Sequence, residues 1–107
     1  MKPNRQLSPR QQRAAEHSLS QAFAALDQSA DVHALLKDLC TPAELQALAD
    51  RWQVVQLLNQ DLAYRAIHEK TGVSVTTIGR VARYLADGAG GYTAALTALG
   101  QMPGDSQ

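Results

Sequence analysis

The sequence predicts an all-α domain, on three observations. Ala fills 18 of the 107 positions, and Ala is the strongest helix former. Aromatic residues make up only 5% of the chain, too few for the β-branched and aromatic strands of a sandwich or barrel. Ser8-Pro9 and Thr41-Pro42 have the form of helix starts, a hydroxyl capping free N–H groups and a Pro where no donor is needed. A monomer of this length buries only about 60–65% of its unfolded surface, so a homodimer is expected to supply the missing core. No apolar run approaches the ~18 residues of a membrane span, and no signal peptide precedes the first helix. The expectation is a cytoplasmic domain with no membrane partner.

Residues 1–7 lack periodicity and read as a flexible basic arm. The helical domain is expected over residues 8–100 and a flexible polar tail over 101–107. Ser8-Pro9 opens a long helix through Gln11 to Asp27, with Ala15, Leu19, Ala22, Phe23 and Leu26 on one side. Asp31 is the expected cap of a shorter helix carrying Val32, Leu35, Leu36 and Leu39. Thr41-Pro42-Ala43-Glu44 has the pattern of a capping box and opens a helix to about Asn59. Leu45, Leu48, Ala49, Trp52, Val55 and Leu58 recur along it at helical spacing. Gly88, Gly90 and Gly91 form a joint before a last helix from about Thr93 to Leu99, which Gly100 stops.

Ten basic and ten acidic residues give zero net charge, where a basic excess is the usual footprint of nucleic-acid binding. The charges are segregated, however. Residues 1–13 carry Lys2, Arg5, Arg10 and Arg13 and no acid. Residues 27–50 carry Asp27, Asp31, Asp38, Glu44 and Asp50 against Lys37 alone. From Leu62 to Leu85 the sign reverses, with Arg65, Lys70, Arg80 and Arg83 against Glu69. The neutral total conceals a basic arm, an acidic middle and a basic late segment.

That late segment reads LAYRAIHEKTGVSVTTIGRVARYL. A helix over about 63–70, a Gly72 turn and a second helix from a Ser74 cap to about Asp87 make a helix-turn-helix. Its inward positions are Ile67, Val73, Ile78, Val81 or Ala82, and Leu85. At about 100° per residue, Thr76, Arg80, Arg83 and Tyr84 fall on the opposite side, flanked by Thr77 and Gly79. Hydroxyls and arginines suit phosphates and base edges in a major groove, and Gly permits close approach.

Leu39-Cys40-Thr41-Pro42-Ala43-Glu44-Leu45, then Leu48-Ala49-Asp50-Arg51, then the helix-turn-helix, resembles the Trp repressor family. Thr77-Ile78-Gly79-Arg80-Val81-Ala82-Arg83 followed by Gly90-Gly91-Tyr92 is similar to its YerC/YecD-type branch. The resemblance spans about residues 15–99. It implies a Trp repressor-like helical domain, an intertwined homodimer and a transcriptional regulator that binds a double-stranded DNA operator. It implies DNA contacts at Arg65, Val75, Thr76 and Gly79, with Ser74 and Thr77 on phosphates, and Arg80 and Arg83 complete the expected DNA-binding set. It also implies a corepressor pocket between Arg51 and Arg80, floored by backbone carbonyls around Leu39 and Thr41, with tryptophan as the ligand to test.

The chain departs from the pattern in three places. Gly79 stands where the family has a hydroxyl, Cys40 replaces an aliphatic residue, and the connection before the helix-turn-helix is one residue shorter. The expected protein therefore has no obligate cofactor. Two alternatives remain open: a helical protein-interaction module, and a non-specific DNA binder without a corepressor. Cys40 is the single cysteine, which excludes an intrachain disulfide and reads as a small buried thiol. His17, His33 and His68 are too scattered for metal-ligand spacing, and no nucleophile–base pair or phosphate loop suggests an enzyme.

Overall fold

A computed structural model describes residues 6–102. Six helices follow one another, with no strand among the described residues: α1 (Pro9–Ala24), α2 (Ser29–Leu39), α3 (Pro42–Asn59), α4 (Tyr64–Thr71), α5 (Val75–Asp87) and α6 (Gly91–Ala98). They form two compact units divided between Thr41 and Pro42, so the domain expected over 8–100 comprises two parts. Residues 1–5 of the expected arm and 103–107 of the expected tail lie outside the described residues. Among the described residues no helix is long and apolar enough to cross a membrane.

In the first unit α1 starts where the sequence places it. Ser8 Oγ accepts from the Gln11 N–H at 3.1 Å, and Gln11 Oε1 accepts from the Ser8 N–H at 2.9 Å, a reciprocal capping box. The helix stops at Ala24 rather than Asp27, because the Leu26 N–H turns to the Phe23 carbonyl three residues back at 3.1 Å. α2 begins at Ser29, with Gln28 as N-cap in place of the expected Asp31. The Gln28 carbonyl accepts from both Asp31 and Val32 N–H groups, at 3.0 and 3.1 Å. Asp31 therefore sits inside the first turn, where its carboxylate faces the positive end of the helix dipole. No residue of α1 or α2 is buried; Leu19 is 44% and Leu39 52% exposed. Cys40, expected to be buried, is half-buried at the C-cap of α2.

The second unit closes a core of Val54, Val55, Ile67, Val73, Ile78, Val81 and Leu96. α3 packs on α4 and α5, α4 on α5, and α5 on α6. The expected inward residues of the helix-turn-helix are there, with Val81 rather than Ala82 in the core and Leu85 packed half-buried against it. Trp52 packs there too. Val54 and Leu96 join the core although no single apolar stripe pointed to them, and Leu48, one of the apolar residues recurring along α3, is 42% exposed. α3 meets two helices at once, so adjacent Val54 and Val55, about 100° apart, both become inward.

Two helix ends share one device. Asp61 (φ 64) and Gly100 (φ 72) are left-handed. The next N–H in each case reaches five residues back, Leu62 to Leu57 at 3.2 Å and Gln101 to Leu96 at 2.8 Å, the Schellman pattern. α6 begins at Gly91, two residues earlier than expected, after the left-handed Gly90. Asn59 Nδ2 then donates to the Gln101 carbonyl at 2.8 Å and Met102 packs on the core, so the first two residues of the expected tail are held against the unit.

Candidate nucleic-acid interface

The α4–turn–α5 head is fixed by the turn between its helices. Gly72 adopts φ 76 and donates its N–H to His68 O at 2.8 Å. Thr71 Oγ1 donates to the Ile67 carbonyl at 2.7 Å and accepts from the Val73 N–H at 3.1 Å. His68 Nδ1 lies 2.7 Å from the Val73 carbonyl; a carbonyl only accepts, so Nδ1 carries the hydrogen and donates. With Val73 buried beneath it, the turn is held from both sides.

Ser74 then starts α5. Its Oγ accepts from the Thr77 N–H and donates to Thr77 Oγ1, both at 3.1 Å, and the Thr77 hydroxyl keeps its own hydrogen to donate. The amides of Val75 and Thr76 open the helix, and first-turn N–H groups have no intrahelical partner. The first turn of α5 carries no acidic residue. The helix start therefore presents unpaired N–H groups and hydroxyls of a kind that phosphate oxygens accept from.

Arg65, Ser74, Val75, Thr76, Arg80 and Arg83 are exposed, Val75 by 52%. Thr77 and Gly79 are half-buried. A Cβ at Gly79 would lie 3.9 Å from Tyr64 Cε2, ordinary van der Waals contact, so Gly79 faces the Tyr64 ring of α4. Arg51 and Arg80, from α3 and α5, line one cleft of about 130 Å³ together with Thr77, Val81, Tyr84 and Tyr92. Leu39 and Thr41, the other members of the expected ligand set, belong to the first unit and are exposed.

Two tyrosines have site positions that the sequence reading did not assign. Tyr84 carries the Arg80 guanidinium 5.7 Å and the Arg83 guanidinium 5.4 Å from its ring centroid, contacts worth about 0.5–1 kcal/mol at an exposed site. The signal was present, since Arg80 and Tyr84 stand four apart on a helix. Tyr92 lines the arginine cleft from α6, and Tyr84 and Tyr92 also wall a larger hollow of about 410 Å³ with Ala89, Gly90 and Gly91. Nothing in sequence spacing brings Tyr92 to Arg51.

This geometry has counterparts among known proteins. The family model for the Trp repressor protein matches residues 15–100. The chain belongs to the Trp repressor family. That family comprises helical DNA-binding regulators rather than enzymes. The uncharacterized protein YerC of Bacillus subtilis (strain 168) is 44% identical over 59 residues, 55% of this chain. The match spans 57% of that relative's length, a little over half. Among solved structures, a TrpR-like protein from Eubacterium eligens superposes with a TM-score of 0.76 at 35% identity, covering 83% of this chain and 92% of that one. A candidate Trp repressor from Staphylococcus aureus gives 0.74 at 35% identity, covering 80% and 86%. Trp repressor-like folding of the YerC type thus accounts for most of the chain.

Proposed function

We propose that this protein is a homodimeric, sequence-specific DNA-binding regulator, a cytoplasmic transcriptional repressor that reads the major groove with the start of α5. The exposed, acid-free start of α5 carries the proposal: Ser74, Val75 and Thr76 face outward with Arg80 and Arg83 beyond them. Arg65 and the basic residues of the N-terminal arm supply phosphate neutralisation. The dimer is supported by α1 and α2, which bury no residue within the chain.

Selection from random DNA tests this reading. A symmetric sequence with half-sites about one helical turn apart is the expected product, with affinity falling steeply as salt rises. Deleting residues 1–13 should lower that salt slope. Tight binding at low salt without enrichment would make the protein a non-specific DNA binder. No binding even at low salt would leave the protein-interaction module.

A second reading concerns a corepressor. Arg51, Arg80, Tyr84 and Tyr92 converge on one cleft, two cations and two aromatic rings suited to a ligand with a carboxylate and a planar ring, such as tryptophan. Its volume of about 130 Å³ is small beside the ~300–1,000 Å³ usual for small-molecule sites, which favours DNA binding without a ligand. Calorimetry with tryptophan on the wild type and Arg51→Ala decides it: heat lost in the variant supports the corepressor, and no heat with either removes it.

A further inference from the structure

We infer that Tyr92 is a positioning residue of the DNA-reading head, its ring on α6 bracing α5 from behind. The inference rests on the DNA-binding reading and deepens it. Thr77, Arg80, Val81 and Tyr84 stand at i, i+3, i+4 and i+7, one edge of α5, and all four line the cleft that Tyr92 enters from α6 and Arg51 from α3.

Tyr92 is anchored. It packs against the core half-buried, and Leu96, one helical turn on, is fully buried, so the two form the inward face of α6. α6 is itself tethered: Gly90 at φ 90 sets its entry, and Asn59 of α3 holds the Gln101 carbonyl just past its end. Tyr84 and Tyr92 line both hollows and are the two residues that the hollows share. Tyr84 in turn carries the Arg80 and Arg83 guanidiniums. The route from Tyr92 through Tyr84 ends on two cations of the DNA-facing side.

Base readout needs side chains held to a fraction of an ångström, whereas attraction to phosphates tolerates movement. Losing the Tyr92 ring should therefore cost specificity before it costs DNA binding. Tyr92→Ala is expected to lower affinity for the selected operator by about tenfold, the order of one lost base contact, and to leave affinity for random DNA within about twofold. Tyr92→Phe keeps the ring and should bind as wild type does.

Unchanged operator preference in Tyr92→Ala overturns the inference. So does a parallel loss of specific and non-specific binding, which assigns Tyr92 a merely structural role. If circular dichroism finds Tyr92→Ala unfolded, Tyr92→Leu keeps apolar bulk without the ring and is expected to show the same selective loss of operator preference. Failure of the wild type to enrich any sequence is a separate outcome, which removes the DNA-reading function itself.

Discussion

The two units are built from similar material to opposite ends. Residues 1–41 hold seven of the 18 alanines and residues 42–107 the other eleven, so alanine density is similar. Yet among the described residues the second unit buries seven apolar side chains, and α1 and α2 bury none. Six of the seven are Val or Ile, stiff at χ1 and ordered at little entropic cost. The first unit has one such residue, Val32. Among the described residues all four left-handed positions, Asp61, Gly72, Gly90 and Gly100, also lie in the second unit. Sharp reversals and stiff side chains let α3–α6 close on themselves, while α1 and α2 leave their apolar side chains unburied in the chain, the surface that the proposed dimer would cover.

The strongest way to break this contrast is to compare truncations in the two units. Ile78→Ala empties a fully buried site and should cost about 2–5 kcal/mol, read by chemical denaturation. Leu19→Ala, at a 44% exposed position, should cost under about 0.5 kcal/mol in the dissociated chain. A Leu19 loss as large as that at Ile78, and independent of protein concentration, would show that the first unit has a core of its own. The next test is oligomeric. Leu19→Asp should shift sedimentation from dimer to monomer and make thermal stability independent of concentration, with α3–α6 still folded. A variant that stays dimeric would place the interface elsewhere.

How much of this was legible depended on how local the signal was. Ile67, Val73, Ile78 and Val81 could be read because Gly72 fixes the turn and the 3.6-residue period does the rest. Val54 was hidden because α3 serves two neighbours, which blurs any single stripe. Leu96 was hidden because α6 spans only Gly91–Ala98, too short for a period to emerge. The α2 start was misplaced because Asp31 is a good cap by type, yet the Gln28 carbonyl began the helix earlier without a side-chain cap. The Arg51–Arg80 pairing in one cleft came from family resemblance. Tyr92 beside them is a tertiary fact that no spacing encodes.

A smaller effect separates the helix starts of the two units. Ser74→Ala removes the Oγ that accepts from the Thr77 N–H, and should cost about 1 kcal/mol in denaturant melts as well as weakening DNA binding at the helix start. Ser8→Ala breaks an equivalent cap on α1, but α1 buries nothing in its own chain. Its cost should appear as fraying of α1 by hydrogen exchange and leave the melting of α3–α6 unchanged. Equal effects on that melt would mean the two units unfold as one.

The smallest expected effect concerns the one left-handed residue that is not glycine. Asp61 sits at φ 64 in the same Schellman arrangement that Gly100 completes at the end of α6. A left-handed conformation costs an ordinary residue about 1–2 kcal/mol, less for Asp, and Gly loses about 0.5–1 kcal/mol of extra chain entropy on folding. The balance predicts that Asp61→Gly stabilises the second unit by about 0.5 kcal/mol, a rise of about 2–4 °C in Tm for a domain of this size. Gly100→Ala should lower Tm, since Ala would take on the strain that Asp61 already bears. If Asp61→Gly instead lowers Tm, the Asp61 side chain contributes more to that turn than its backbone costs, and left-handed strain is not what the second unit bears in closing its core.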